Sequence, residues 1–163
     1  VIDLDEVAME LGKSTYPEAT WIISNEHNPV YNPAGKDKLE LKETYDLVFA
    51  YSVYTHMSLE KFEEHIQIFK QHLNPNGKIA LTVCSTSNER IKKYFWERRV
   101  ALYNSCDDLV FSNDVTYLID NKLSFDYPNQ CNQLITWYDK SFLEKYGTFI
   151  EHPTHLDLLI IEK

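Results

Sequence analysis

The stretch Tyr51-Ser52-Val53-Tyr54-Thr55-His56 puts two phenols, two hydroxyls and an imidazole into six residues, directly after the apolar run Tyr45–Ala50. An imidazole titrates near about pH 6.5 and can take a proton from a hydroxyl or amine as that group reacts, so His56 is the candidate general base. A second reading stands beside it: His56 helps to cap the helix that follows Ser58, or packs beneath the loop. Further along, Arg90, Lys92, Lys93, Arg98 and Arg99 set five cations into ten residues of an acidic chain. Arg98 and Arg99 are the candidate contacts for an anionic acceptor such as a phosphate or carboxylate. The competing reading is a solvated helix face paired with Glu89 and Glu97. His27, His65, His72, His152 and His155 show no ligand spacing, so no metal is assigned. Cys84, Cys106 and Cys131 form no Cys-x-x-Cys pair, which argues against a zinc site or a disulfide framework.

These residues need elements to position them. "YDLVFA" (Tyr45–Ala50) reads as a strand buried on both faces. Ser58 is a good N-cap, and Leu59, Phe62, Ile66, Phe69 and Leu73 behind it recur at helical spacing. "NPNG" stops that helix, and "KIALTV" (Lys78–Val83) is the next strand. Two apolar strands joined through a helix predict a parallel βαβ crossover. At the amino end, "VIDL" reads as the end of a strand, Asp5 as the cap of a short helix ended by Gly12, and "TWII" as a further strand. "SNEHNPVYNPAGKDKLELKE" is an irregular surface segment. "SFLEKYG" reads as a short helix, and "TFIEH" with "LDLLIIEK" as an antiparallel hairpin about Pro153. The pattern is α/β in one domain over 1–163. In open parallel sheets ligands bind at the carboxyl ends of the strands, which is where the Tyr51–His56 loop falls.

Composition sets the bounds. The chain has 163 residues, 44% hydrophobic and 13% aromatic, and a net charge of −9. It is globular in composition. Its acidity argues against nucleic acid as a partner. No apolar run reaches the ~18 residues that span a membrane. The sparse, odd-numbered cysteines suggest a reducing, cytoplasmic setting.

The order of these pieces resembles the class I S-adenosylmethionine-dependent methyltransferases, the small-molecule branch most closely. "IDLDEVAMELGKSTYPEATWI", "YDLVFAYSVYTHMS", "LNPNGKIALTV" and "WYDKSFLEKYG…LDLLIIEK" carry the resemblance. It implies a Rossmann-like, mostly parallel sheet with a C-terminal antiparallel hairpin, and methyl transfer from S-adenosylmethionine to an oxygen or nitrogen of a small molecule. It implies that Asp3 takes the ribose hydroxyls, with Leu4 against the adenine. Asn25, or Glu26 in its stead, meets the adenine amino group. Tyr51 and Ser52 bound the cofactor through their backbone, and 85–135 is a substrate lid. The family's glycine-rich turn has no counterpart: Gly12, Gly35, Gly77 and Gly147 stand far apart. The family's first strand, which lies between the second and fourth, has none either. Three outcomes are expected for that gap: preceding residues fill it, another chain donates a strand, or "VIDL" pairs directly with "YDLVFA". The 163 residues alone are expected to hold the cofactor poorly. Two rivals remain, a non-catalytic scaffold for binding or dimerisation as a homodimer, and a dinucleotide-dependent oxidoreductase.

Overall fold

The computed structural model describes residues 1–28, 32, 34–36, 38–90, 93, 108–111, 115–120, 132–153 and 155–163. These form two compact units, Val1–Glu40 and Leu41–Lys163.

In the first unit, β1 (Ile2–Asp3) pairs in parallel with β2 (Ile22–Ile23). Between them runs α1 (Glu6–Thr15), whose N-cap Asp5 accepts from the Ala8 N–H at 3.0 Å. The helix does not end at Gly12. It continues to Thr15 because Gly12 answers a packing need: a Cβ there would lie 2.3 Å from the indole ring of Trp21.

The second unit is a mixed seven-stranded sheet. Its centre is the crossover read from the sequence. β3 (Tyr45–Ala50) pairs in parallel with β4 (Leu73–Ser85), Leu47 facing Lys78 and Ala50 facing Leu81. α2 (Leu59–Gln71) joins them, with Ser58 Oγ accepting from the Lys61 N–H. β4 starts earlier than Lys78. It pairs Leu73 with Tyr45, then bulges through Asn74–Gly77, where Asn76 takes a left-handed φ of 64°. The far edge of β4 carries the C-terminal hairpin. β9 (Asp157–Glu162) runs antiparallel to β4, and β8 (Thr148–Ile150) antiparallel to β9. Past the end of β3, Cys84 and Ser85 of β4 pair in parallel with the end of β7 (Asn132–Tyr138). β6 (Val115–Asp120) and β5 (Asp108–Phe111), within the segment 85–135, extend that edge as an antiparallel ribbon. α3 (Lys140–Leu143) leads into the hairpin.

Direct pairing of "VIDL" with "YDLVFA" does not occur. β1 pairs with β2, and among the described residues β3 pairs with β4 alone.

Paired residues in a sheet share a face, and faces alternate along a strand. Ile79, Leu81, Val83 and Ser85 lie on one face with Leu159, Ile161 and Tyr138. α2 covers this face: the Phe62 ring lies 5.0 Å from that of Tyr138, and Phe62, Ile66, Phe69 and Leu73 are buried. The other face departs from expectation. Leu47 is 58% exposed and Phe49 61%, so β3 is covered on one face, not both. Phe62→Ala is therefore expected to cost about 3–5 kcal/mol in urea unfolding of this chain. Phe49→Ser should stay within about 0.5 kcal/mol of the parent. Comparable losses from the two would mean that Phe49 is covered.

Candidate functional site

The carboxyl ends of β3, β4 and β7 point the same way because the three strands are mutually parallel through β4. The chain leaving β3 must turn sharply there. Ser52 does so at φ 57°, a left-handed conformation that costs a non-glycine residue about 1–3 kcal/mol. The surroundings hold it. Its N–H donates to Thr82 Oγ1 at 2.7 Å, and Thr55 Oγ1 donates back to the Ser52 carbonyl at 3.0 Å. The next residues, Tyr54–His56, close a single 3₁₀ turn.

Each end of that turn is tied to another element. Tyr54 and Thr55 are buried. Tyr54 Oη lies 3.0 Å from His65 Nδ1 of α2. The Tyr138 hydroxyl of β7 donates to the Tyr54 carbonyl at 3.0 Å and more weakly to the Met57 carbonyl at 3.4 Å. Thr136 Oγ1 also donates to Met57 O, at 2.7 Å. His56 is half-buried in the turn, and its N–H donates to the Val53 carbonyl. Tyr51 stands 66% exposed. Thus Tyr51, Ser52 and His56 sit on one short, heavily anchored loop.

The carboxyl end of β4 is fixed by a buried carboxylate. Asp157 accepts from the Ser85 N–H at 3.1 Å, Asn88 Nδ2 at 2.7 Å and the His152 N–H at 3.0 Å. Thr86 Oγ1 donates to Asp139 Oδ1 at 2.6 Å, joining the ends of β4 and β7. Burial pushes the Asp157 carboxyl above its ordinary value, and its three N–H donors only partly offset that. Burial, with the Asp157 charge behind it, pushes the Cys84 thiol up as well, which makes it a poor nucleophile.

In the first unit, Asp3 and Ile23 end the parallel pair on the same side. Asp3 is exposed. Its Oδ1 accepts from the Leu4 N–H at 2.7 Å and the Asp5 N–H at 3.0 Å, while Oδ2 keeps its acceptor capacity among the described residues. Leu4 is half-buried and Asn25 exposed. Glu26 is buried, and its backbone carbonyl accepts from Asn32 Nδ2 at 3.0 Å. Arg98 and Arg99 lie outside the described residues, as does most of 85–135. Arg90 is described, and its guanidinium donates to the Pro153 carbonyl at 3.1 Å. Among the described residues no group of three or more His, Cys, Asp or Glu side chains could hold a metal. No described helix is long and apolar enough to cross a membrane.

Sequence reasoning missed Thr82, His65, Thr136 and Tyr138 as loop anchors. His65 left a signal, since it shares the apolar stripe of α2 with Phe62, Ile66 and Phe69 at spacings of three, one and four. Thr82 left none, because its partner Ser52 is 30 residues away.

No protein-family model and no curated protein matches the sequence. Solved structures do. The chain is similar to DesVI of Streptomyces venezuelae, with a TM-score of 0.55 at 14% identity over 98% of this chain and 71% of that one. It is similar to an S-adenosylmethionine-dependent methyltransferase of Clostridium acetobutylicum, with a TM-score of 0.53 at 11% identity over 99% and 73%. PKMT2 of Rickettsia typhi matches 64% of this chain at 21% identity and a TM-score of 0.46, and the chain spans 20% of that protein's length. The first two establish the fold as Rossmann-like, of the kind a solved S-adenosylmethionine-dependent methyltransferase adopts.

The Asp157 carboxyl gives a pH test. A folded-state value above the ordinary 3.8 means that the folded chain holds this proton more tightly than the unfolded chain does. That contribution is complete below 3.8 and is lost as pH rises through the raised value. Asp157→Asn cannot titrate, so the stability gap between parent and variant should narrow from about pH 3 to pH 7 in urea midpoints. A gap that widens with pH would mean that the three donors outweigh burial.

Proposed function

We propose that the protein transfers a methyl group from S-adenosylmethionine to an oxygen or nitrogen of a small molecule. The observation that carries this reading is the strained, anchored Ser52 loop at the carboxyl ends of parallel strands, on the fold just described. Strain of this kind persists only where the surroundings over-determine it, and it clusters at ligand sites. The cofactor supplies a sulfonium-bound methyl group, which the acceptor displaces directly.

The residues present suit parts of that ligand. Asp3, exposed and with acceptor capacity on Oδ2, suits a pair of ribose hydroxyls, because a carboxylate accepts two O–H donors. Leu4 offers an apolar surface for a purine, and Asn25 an amide for its amino group. Glu26, being buried, suits this role less well. Tyr51 and Ser52 would bound the methyl-bearing end, and His56 would take the acceptor's proton. Much of the rate would come from alignment, because proximity alone removes a large part of such a barrier. The segment 85–135, with Arg98 and Arg99, would cover an anionic acceptor. A cytoplasmic setting suits the free, buried Cys84.

A second reading is a non-catalytic scaffold that keeps the sheet for binding or dimerisation. The wide separation of the four glycines favours it, since no close pair lets the backbone approach a ligand.

Calorimetric titration of the product of the complete reading frame separates the readings. Micromolar binding of S-adenosylhomocysteine with none of NAD is the expected result. Asp3→Ala should then weaken binding by about 1–3 kcal/mol, the cost of a lost charge-assisted hydrogen bond. His56→Ala should leave affinity intact and lower turnover. Failure to bind either ligand would leave the scaffold.

A further inference from the structure

His65 is a buried imidazole that the reaction proposed above does not use. It is 3% exposed, in the middle of α2, among aromatic rings. Its ring lies edge-on to that of Tyr54 at 5.9 Å and tilted against Phe69 at 5.8 Å. A helix stripe that needed only apolar filling would carry Leu or Phe here. The polar atom has a definite use: His65 Nδ1 lies 3.0 Å from Tyr54 Oη, and Tyr54 is itself 1% exposed. With the imidazole proton on Nε2, the Tyr54 hydroxyl donates to Nδ1. A buried phenol deprived of that acceptor would carry a desolvation cost.

Tyr54 is the second residue after Ser52. Its hydroxyl end is fixed from α2 by His65, and its backbone carbonyl from β7 by Tyr138. Ser52 is held from β4 through Thr82. Among the described residues the loop is thus attached to β4, α2 and β7.

We infer that His65 is a positioning residue: through its hydrogen bond to Tyr54 it sets the height and order of the Tyr51–His56 loop, and with it the affinity for the sulfonium-bearing half of the cofactor. The cofactor part of this inference rests on the methyl-transfer reading. The loop-ordering part does not.

The test is a double-mutant cycle on the product of the complete reading frame, combining Tyr54→Phe with His65→Leu and reading two quantities. The first is amide hydrogen exchange of residues 51–56. The second is the dissociation constant for S-adenosylhomocysteine. Each single change removes the same hydrogen bond, so each should speed loop exchange and weaken binding by about fivefold, and the double variant should be no worse than either. His65→Asn carries a polar atom near the position of Nδ1 and should recover most of both losses. Melting curves and exchange in β4 and β9 report whether each variant folds. If His65→Leu does not fold, Tyr54→Phe and His65→Asn carry the test alone. Additive effects, or loop exchange unchanged in Tyr54→Phe, overturn the inference. A parent protein that binds no S-adenosylhomocysteine, with the exchange pattern as expected, overturns the methyl-transfer reading and the affinity claim while the loop-ordering role stands.

Discussion

Phe62, Ile66 and Phe69 form an apolar stripe on α2 that must leave water, and the parallel pair β3–β4 is the surface that receives it. Burying three such side chains is worth about 1.5–3 kcal/mol each, and this packing, more than intrinsic propensity, holds the helix. Once α2 lies across these strands, their direction is settled. A helix that returns the chain to a neighbouring strand makes the pair parallel, and a parallel pair puts both carboxyl ends on one side. The β3 loop, the end of β4 and, through Cys84 and Ser85, the end of β7 meet there. The arrangement of the site follows from where the helix has to go.

What then fixes the loop is polar satisfaction. A chain that turns left-handed at Ser52 and dives under the sheet's end takes backbone groups away from water, and each buried group needs a partner. The partners come from two strands, β4 and β7. Thr82 accepts the Ser52 N–H, while Tyr138 and Thr136 donate to the Tyr54 and Met57 carbonyls. Asp157 does the same with a single carboxylate for the Ser85 and His152 N–H groups and the Asn88 side chain. These bonds are modest individually. Together they hold Ser52 in a conformation that it would not adopt in isolation.

The β3–α2–β4 core was legible because periodicity of 3.6 and runs of apolar residues are local signals, and because Ser58 and Asp5 are caps that act within three residues of themselves. The hairpin of β8 and β9 was legible for the same reason. Contacts that join distant parts of the chain were not. The Thr82 hydroxyl reads as a strand threonine until Ser52 is laid beside it. Gly12 reads as a helix end until the Trp21 ring is seen to occupy the space of a side chain. The ribbon of β5, β6 and β7 was missed because its strands mix polar with apolar residues, so neither period stands out. In the candidate site, the loop was visible as a cluster of residue types, and its anchors were not.

The exposed face of β3 shows where pattern and packing part. A strand covered on one side only would alternate apolar with polar residues. "YDLVFA" does not alternate. Leu47 and Phe49 are as apolar as Val48 and Ala50, yet they stand in water on the face away from α2, and Ala80, Leu158 and Ile160 share that face through the strand register. Covering a leucine and a phenylalanine is worth about 1.5–3 kcal/mol each. A sequence that keeps such residues on both faces of a strand is written for a sheet covered on both. The sequence reading of β3 was therefore a statement about the environment this strand is built for, and its exposure is a statement about the part of that environment the described residues supply.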